Sequence, residues 1–145
     1  MTEWLHKHAH HATGQGTRTY VLVQEGTAGV LGYFALAPHL VEREEAPKRI
    51  GRGAPRQIPA VLLAKLALDQ RLQGSGLGGE LLVKALLTIL DAARAAGGKL
   101  VVVDAIDDGA ADFYRHHSFE PILGNPHRLV MKLSTAARAC GVAWP

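Results

Sequence analysis

The stretch "LDQRLQGSGLGGELL", residues 68–82, sets four glycines between a polar turn and the first residues of an apolar helical pattern. Glycine permits positive φ and close approach of a ligand to the backbone, and a helix that starts here offers unpaired N–H groups at its positive end. The stretch therefore reads as a cradle for phosphates. After it, Leu77, Leu81, Leu82, Ala85, Leu86, Ile89, Leu90 and Ala93 recur at helical spacing until Gly97-Gly98 stops the run. This predicts a long helix.

Before the glycines, "AVLLAKLALD" (60–69) alternates at Leu62, Ala64, Leu66 and Leu68 like a buried strand, while its Ala and Leu content suits a helix equally. Periodicity leaves both open. Further upstream, "TRTYVLVQE" (17–25) and "VLGYFALAP" (30–38) are β-branched and aromatic runs joined by "GTAG", the pattern of an antiparallel hairpin. Thr2 caps an expected short helix over residues 3–11, with Trp4, Leu5 and Ala9 as its apolar stripe. His6 and His10 stand i, i+4 on that helix, but with no third ligand nearby they read as a solvated face, and no metal is expected.

Downstream, "KLVVVDAI" (99–106) is a continuous apolar strand, "DDGAADFYRHHS" (107–118) a short helix capped by Asp107 or Asp108, and "HRLVMKLS" (127–134) a final alternating strand. The whole is one α/β domain over 1–134, a mixed central sheet flanked by helices, with 135–145 as a C-terminal tail. The 145 residues, 48% hydrophobic, fit a single globular core. One cysteine, Cys140, excludes an intramolecular disulfide and makes a cytoplasmic setting the default. No apolar run approaches the roughly 20 residues of a membrane helix, and the polar, His-rich "MTEWLHKHAHH" lacks a signal-peptide core.

Two common phosphate cradles are excluded by spacing. A P-loop ends in Gly-Lys-Ser/Thr, whereas this loop ends Gly-Leu-Gly-Gly-Glu, and a dinucleotide fold carries its loop near the start of a longer α/β repeat. What fits is Gln73-Gly74-Ser75-Gly76-Leu77-Gly78, which resembles the Gln/Arg-x-x-Gly-x-Gly/Ala signature of the GNAT acetyltransferases. With "LAKLALDQRLQGSGLGGELL" ahead of the long helix and "VVVDAIDDGAADFYRHHSFEP" after it, the chain is similar to the closing two-thirds of a GNAT domain. "EWL", "TYVLV", "GYFALAP" and "APKRIGRGAPRQIP" narrow the resemblance to acetyltransferase toxins of the TacT type.

That resemblance implies a GNAT fold and acetylation of the amino group on aminoacyl-tRNA, with a ribbon-helix-helix antitoxin and a homodimer. It also implies a further N-terminal strand ahead of "EWL" that is not found before Met1-Thr2, so one sheet edge is expected to be missing. Acetyl-coenzyme A is assigned to Leu66, Ala67 and Leu68, to Gln73, Gly74, Ser75, Gly76, Leu77, Gly78 and Gly79, and to Phe113. Ala67 and Leu68 would act through main-chain groups. Tyr114 matches the family's catalytic tyrosine, the general acid for the departing thiolate.

The chemistry asks for few side chains. The α-amine of an aminoacyl ester has a pKa at or below the ~7.7–8.0 of an ordinary α-amine, so a useful fraction is neutral and a strong base is dispensable, unlike for a lysine at about 10.4. His116 and His117 are accordingly read as helix-end residues favoured by the dipole. Net charge is only +3, but residues 46–59 hold Lys48, Arg49, Arg52 and Arg56 with no acid among them, a loop suited to phosphates. Lys65, Arg71 and Lys84 extend this tRNA-binding set if they share its face. The competing functions are a GNAT enzyme for a small amine or a protein N-terminus, and a non-catalytic coenzyme A-binding module.

Overall fold

The computed structural model describes residues 4–11, 17–24, 32–68 and 76–145. They form one mixed sheet of seven strands in the order β1-β2-β3-β4-β5-β7-β6. β1 (Trp4–His11), β2 (Arg18–Gln24), β3 (Gly32–Glu42) and β4 (Gln57–Leu68) pair antiparallel in succession, β5 (Leu100–Asp104) lies parallel to β4, and β7 (Asn125–Lys132) and β6 (Glu120–Ile122) close the other edge antiparallel. The helices are α1 (Lys48–Gly51), α2 (Leu77–Ala96), α3 (Asp108–His116) and α4 (Leu133–Cys140).

The expected hairpin is present as β2 and β3, although its turn lies outside the described residues. The ambiguous stretch at 60–69 is strand, and it begins earlier, at Gln57, inside the basic segment. Pairing on both sides decides this: Ala60–Leu63 ladder to Leu100–Val103 on one side, and residues from Gln57 onward ladder to β3 on the other. Two expectations are corrected. Residues 3–11, read as a helix, are β1, an edge strand that satisfies its backbone groups against β2 through the register Trp4↔Gln24 to His11↔Arg18. Residues 135–145, read as a tail, contain most of α4, whose Leu133, Ala136 and Ala137 are buried on one face.

Two apolar layers hold the sheet. On one face α2 buries Leu81, Leu82, Ala85, Leu86, Ile89, Leu90 and Ala93 against Phe34, Leu63, Val101, Val103 and Leu129, with α3 and α4 alongside. Each fully buried leucine or isoleucine contributes about 1.5–3 kcal/mol. The other face is covered by Val41, Ala46 and Ile50 over Ile58, Ala60, Leu100, Val102 and Val130. Alternation along β5 sends Val101 and Val103 to the first layer and Leu100 and Val102 to the second, which is why that strand reads as continuously apolar. No helix among the described residues is long and apolar enough to cross a membrane.

Candidate active site

The cleft arises where β4 and β5 part. Their parallel ladder ends at Leu63 and Val103, while β4 runs on to Leu68 paired with β3. The register against β3 shifts between Ala35↔Lys65 and Leu36↔Leu63, so Ala64 is the extra residue of a bulge. A bulge bends its strand and strengthens the local twist, here carrying Lys65–Leu68 away from β5. The proposed main-chain positions Leu66, Ala67 and Leu68 thus border the opening. Gly32 stands opposite Leu68, and a β-carbon on it would lie 3.0 Å from the Ala67 carbonyl oxygen, so glycine is what lets β3 run this close.

α2 starts at the same end of the sheet. Gly76 is its N-cap at φ 85° and ψ −5°, a left-handed conformation, with no side-chain cap bond. Among the described residues no side chain caps the first-turn N–H groups of Leu77, Gly78 and Gly79, which point to the positive end of the helix. Gln73, Gly74, Ser75 and Arg71 lie outside the described residues. Across the opening stands the last turn of α3. Its start is fixed by Asp107, whose Oδ1 accepts from the Ala110 N–H at 2.8 Å, as the capping expectation required. A β-carbon on Gly78 would meet the Phe113 ring at 3.6 Å, and one on Gly79 the His117 ring at 3.5 Å. Phe113 and His117, one helical turn apart with ring centroids 4.8 Å from each other, rest directly on the α2 backbone.

Tyr114 is buried, 7% exposed, between Phe113 and Phe119 in edge-to-face contacts of 5.3 and 5.4 Å. The two neighbours on α3 divide as their ~100° offset implies: Phe113 faces α2 and Tyr114 enters the core layer. Burial pushes the Tyr114 phenol up to about 12, so it stays protonated throughout the physiological range. Among the described residues its hydroxyl has no hydrogen-bond partner, which leaves the O–H to donate elsewhere. His117 is held below the ordinary histidine value, by burial first and by His116 second, and is therefore neutral near pH 7. Sequence reading gave His117 no place at the cleft, although its i, i+4 spacing from Phe113 was a visible signal.

The exit of β5 carries a bidentate ion pair, Arg128 Nε to Asp104 Oδ1 and Nη2 to Asp104 Oδ2, both 2.7 Å, with Arg128 Nη1 3.2 Å from His39 Nε2. Beside it His127 Nε2 lies 2.7 Å from Asp108 Oδ1. No group of three His, Cys, Asp or Glu among the described residues is arranged to hold a metal.

The cationic set does not share one face. Lys65 follows the bulge and Lys84 is on the second turn of α2, both at the cleft end. Lys48, Arg49 and Arg52 are on and after α1, which packs through Ile50 beneath the opposite face, and Arg56 precedes the far end of β4.

No protein-family model matches the chain. A tRNA-acetylating toxin of Mycobacterium tuberculosis is 35% identical over 143 residues, spanning 97% of this chain and 84% of the relative's length. The probable toxin TacT of Sinorhizobium fredii is 28% identical over 133 residues, 86% of this chain and 74% of its own. Among solved structures, a mutant of KacT with a tyrosine replaced by phenylalanine superposes with a TM-score of 0.79 at 28% identity, covering 87% of this chain and 76% of that one. AtaT complexed with acetyl-methionyl-tRNAfMet gives 0.77 at 30% identity, covering 86% and 75%. An AtaT mutant of the same tyrosine-to-phenylalanine kind, bound to the C-terminus of the antitoxin AtaR and to acetyl-CoA, gives 0.69 at 30%, covering 85% and 71%.

Proposed function

This chain belongs to the TacT-type GNAT acetyltransferase toxins, and from that premise we propose that it transfers acetyl from acetyl-CoA to the α-amino group of an aminoacyl-tRNA, blocking translation in the cytoplasm. The observation that carries the reading is the protonated, buried Tyr114 set across from the glycine-started α2 at the parting of β4 and β5. Leu66, Ala67 and Leu68 offer main-chain groups to the pantetheine arm and the thioester carbonyl. The first-turn N–H groups from Leu77 to Gly79, together with Gln73, Gly74, Ser75 and Gly76, take the pyrophosphate at the positive end of a 20-residue helix. Phe113 forms the wall over that turn.

The neutral amine attacks the thioester carbonyl, the C–S bond breaks, and the amine's proton is released as sulfur gains one, giving amide and free thiol. Tyr114 donates its O–H toward the sulfur as negative charge develops there. No side chain need act as strong base, because the α-amine of the ester is substantially neutral near pH 8. Lys65 and Lys84, at the cleft end, take the phosphates nearest the charged 3′ end, and Arg71 is assigned to the same role. The same family membership supports neutralisation by a ribbon-helix-helix antitoxin, as AtaT is bound by AtaR, and a homodimeric state.

The reading is tested by following labelled acetyl from acetyl-CoA into a pool of charged tRNAs, beside uncharged tRNA and free amino acids. Label on charged tRNA alone supports it and names the amino acid. Label on free amines but on no tRNA replaces it with a small-amine acetyltransferase. Bound coenzyme A with no transfer replaces it with a silent binding module.

A further inference from the structure

At the pole away from the cleft, two depressions of about 560 and 480 Å³ adjoin, sharing Ile50, Lys132 and Ser134 in their walls. The first also presents Arg52, Arg94 and Lys99, and the second Arg49 and Arg138. These six cations come from five separate places: α1 and its exit, the end of α2, the residue before β5, the end of β7, and α4. Glu120 is the one acidic side chain among the described residues of either wall, and it is paired with Arg49 at 2.8 Å. Arg94 pairs with Asp91 at 2.9 Å. Among the described residues Arg52, Lys99, Lys132 and Arg138 form no ion pair. In a chain of net charge only +3, that is a concentrated excess.

The groove is built rather than loosely draped. The Arg43 guanidinium donates to the Ala54 carbonyl at 3.0 Å, the Arg43 N–H to Arg56 at 2.8 Å, and the Arg52 N–H to Lys48 at 2.9 Å. The Lys99 N–H donates to Pro59 at 2.8 Å, and Leu133 to Lys99 at 2.9 Å, tying the starts of β4 and β5 to that of α4. Arg94 closes the far wall by donating to the Ala143 carbonyl at 2.7 Å, with its guanidinium 5.4 Å from the Trp144 ring centroid.

From Leu77 at the cleft to Arg94 at the groove, α2 rises about 25 Å at ~1.5 Å per residue. A ligand reaching both must be large and anionic along its length. We propose that this groove binds the phosphate backbone of the tRNA body while the charged 3′ end occupies the cleft. The inference rests on the aminoacyl-tRNA reading above. An acidic peptide fits less well: the groove's aromatic, Trp144, is already packed against the core under Arg94 and is not free to anchor a partner's side chain.

The test is the fourfold variant Arg52→Gln/Lys99→Gln/Lys132→Gln/Arg138→Gln, whose sites are exposed and outside the catalytic cleft. Affinity for uncharged tRNA is measured from 50 to 200 mM salt. Four lost phosphate contacts lower the log–log slope by up to about 3.6, so over this fourfold rise the wild type loses about 150-fold more affinity than the variant. Acetyl transfer to full-length charged tRNA shows a raised KM, and transfer to a charged RNA of the acceptor stem alone is unchanged. Unchanged tRNA affinity and slope overturn the proposal, as does an equal loss on the short RNA. Loss of poly-glutamate binding with tRNA binding intact assigns the groove to an acidic protein and also overturns it. If the wild type acetylates no tRNA yet the slope change appears, the functional reading fails and the groove stands.

Discussion

Replacing Tyr114 by phenylalanine separates the catalytic role of this residue from its structural one. The ring sits edge-to-face on Phe113 and Phe119, and those contacts survive the change. The hydroxyl has no partner among the described residues, so its loss leaves no donor or acceptor stranded and costs the fold at most about 1 kcal/mol, a melting shift within roughly 4 °C. Catalysis should lose much more. A phenol pushed up to about 12 faces a thiol with an ordinary value near 8.5, so complete proton transfer in advance of bond breaking is uphill by about 5 kcal/mol at ~1.36 kcal/mol per unit. Tyr114 therefore acts by donating a strengthening hydrogen bond to the sulfur as charge appears, and removing one such donor costs about 10²–10³ in kcat. Thiol release with charged tRNA, calorimetric titration with acetyl-CoA and thermal melting measure the three quantities on one preparation. A kcat loss under fivefold, a raised acetyl-CoA KM at unchanged kcat, or a melting point lowered by more than 8 °C would refute the reasoning.

Gly76→Ala places a β-carbon in open space but at φ 85°, and should lower stability by about 1–2 kcal/mol in a urea titration while weakening acetyl-CoA binding. Gly32→Ala forces a few tenths of an ångström on the Ala67 carbonyl; acetyl-CoA KM should rise about three- to tenfold in steady-state kinetics, with little change in far-UV circular dichroism. Asp107→Ala removes the cap of the helix that carries Tyr114 and should cost about 1 kcal/mol, seen in chemical denaturation, with amide exchange accelerated at the start of α3. His39, held low by burial and then by Arg128, and His117, held low by burial and then by His116, are both more easily protonated when unfolded. Their contribution to stability is present above about pH 6.5 and is lost as pH falls through it, so melting temperature should drop between pH 7.5 and 5.5, and His39→Gln/His117→Gln should flatten that drop.

How much of this was legible in the sequence depends on how local each signal is. α2 and the α3 cap were readable because a 3.6-residue stripe and an Asp whose carboxylate accepts from the N–H three residues later are each contained in one segment. α4 was readable too: Leu133, Ala136, Ala137 and Cys140 stand at i, i+3, i+4 and i+7, but assigning Leu133 to the preceding strand cut the pattern at its first member. For β1 the short run "WLHKHAHH" contains too few apolar residues to choose a period, and pairing with β2 settles it, information no single segment holds. β4 is the same case from the other side, since its strand state is decided by neighbours up to 40 residues away in sequence.

The two parts of the candidate site divide along that line. The acetyl-transfer cleft is assembled from contiguous pieces, the end of β4, the start of α2 and one turn of α3, each of which announces itself by glycine spacing or by a short aromatic run. The basic groove is not. Of its six cations only Arg49 and Arg52 fall in the segment whose charge was visible, while Arg94, Lys99, Lys132 and Arg138 each stand singly at the end of a different element. Single basic residues near helix ends carry a sufficient local explanation in the helix dipole, so Arg94 and Arg138 in the last turns of α2 and α4 attract no attention in sequence. Only the fold shows that these ends converge. The corollary is mechanistic: because α2 connects cleft to groove as one rigid rod, phosphates held at Arg94 limit where the 3′ end can fall in the cleft, and the groove sets reach rather than chemistry. Loss of the groove should therefore raise KM for whole tRNA and spare kcat, the reverse of the Tyr114→Phe pattern, and a variant of either kind that showed the other's signature would mean that the two sites are not joined in this way.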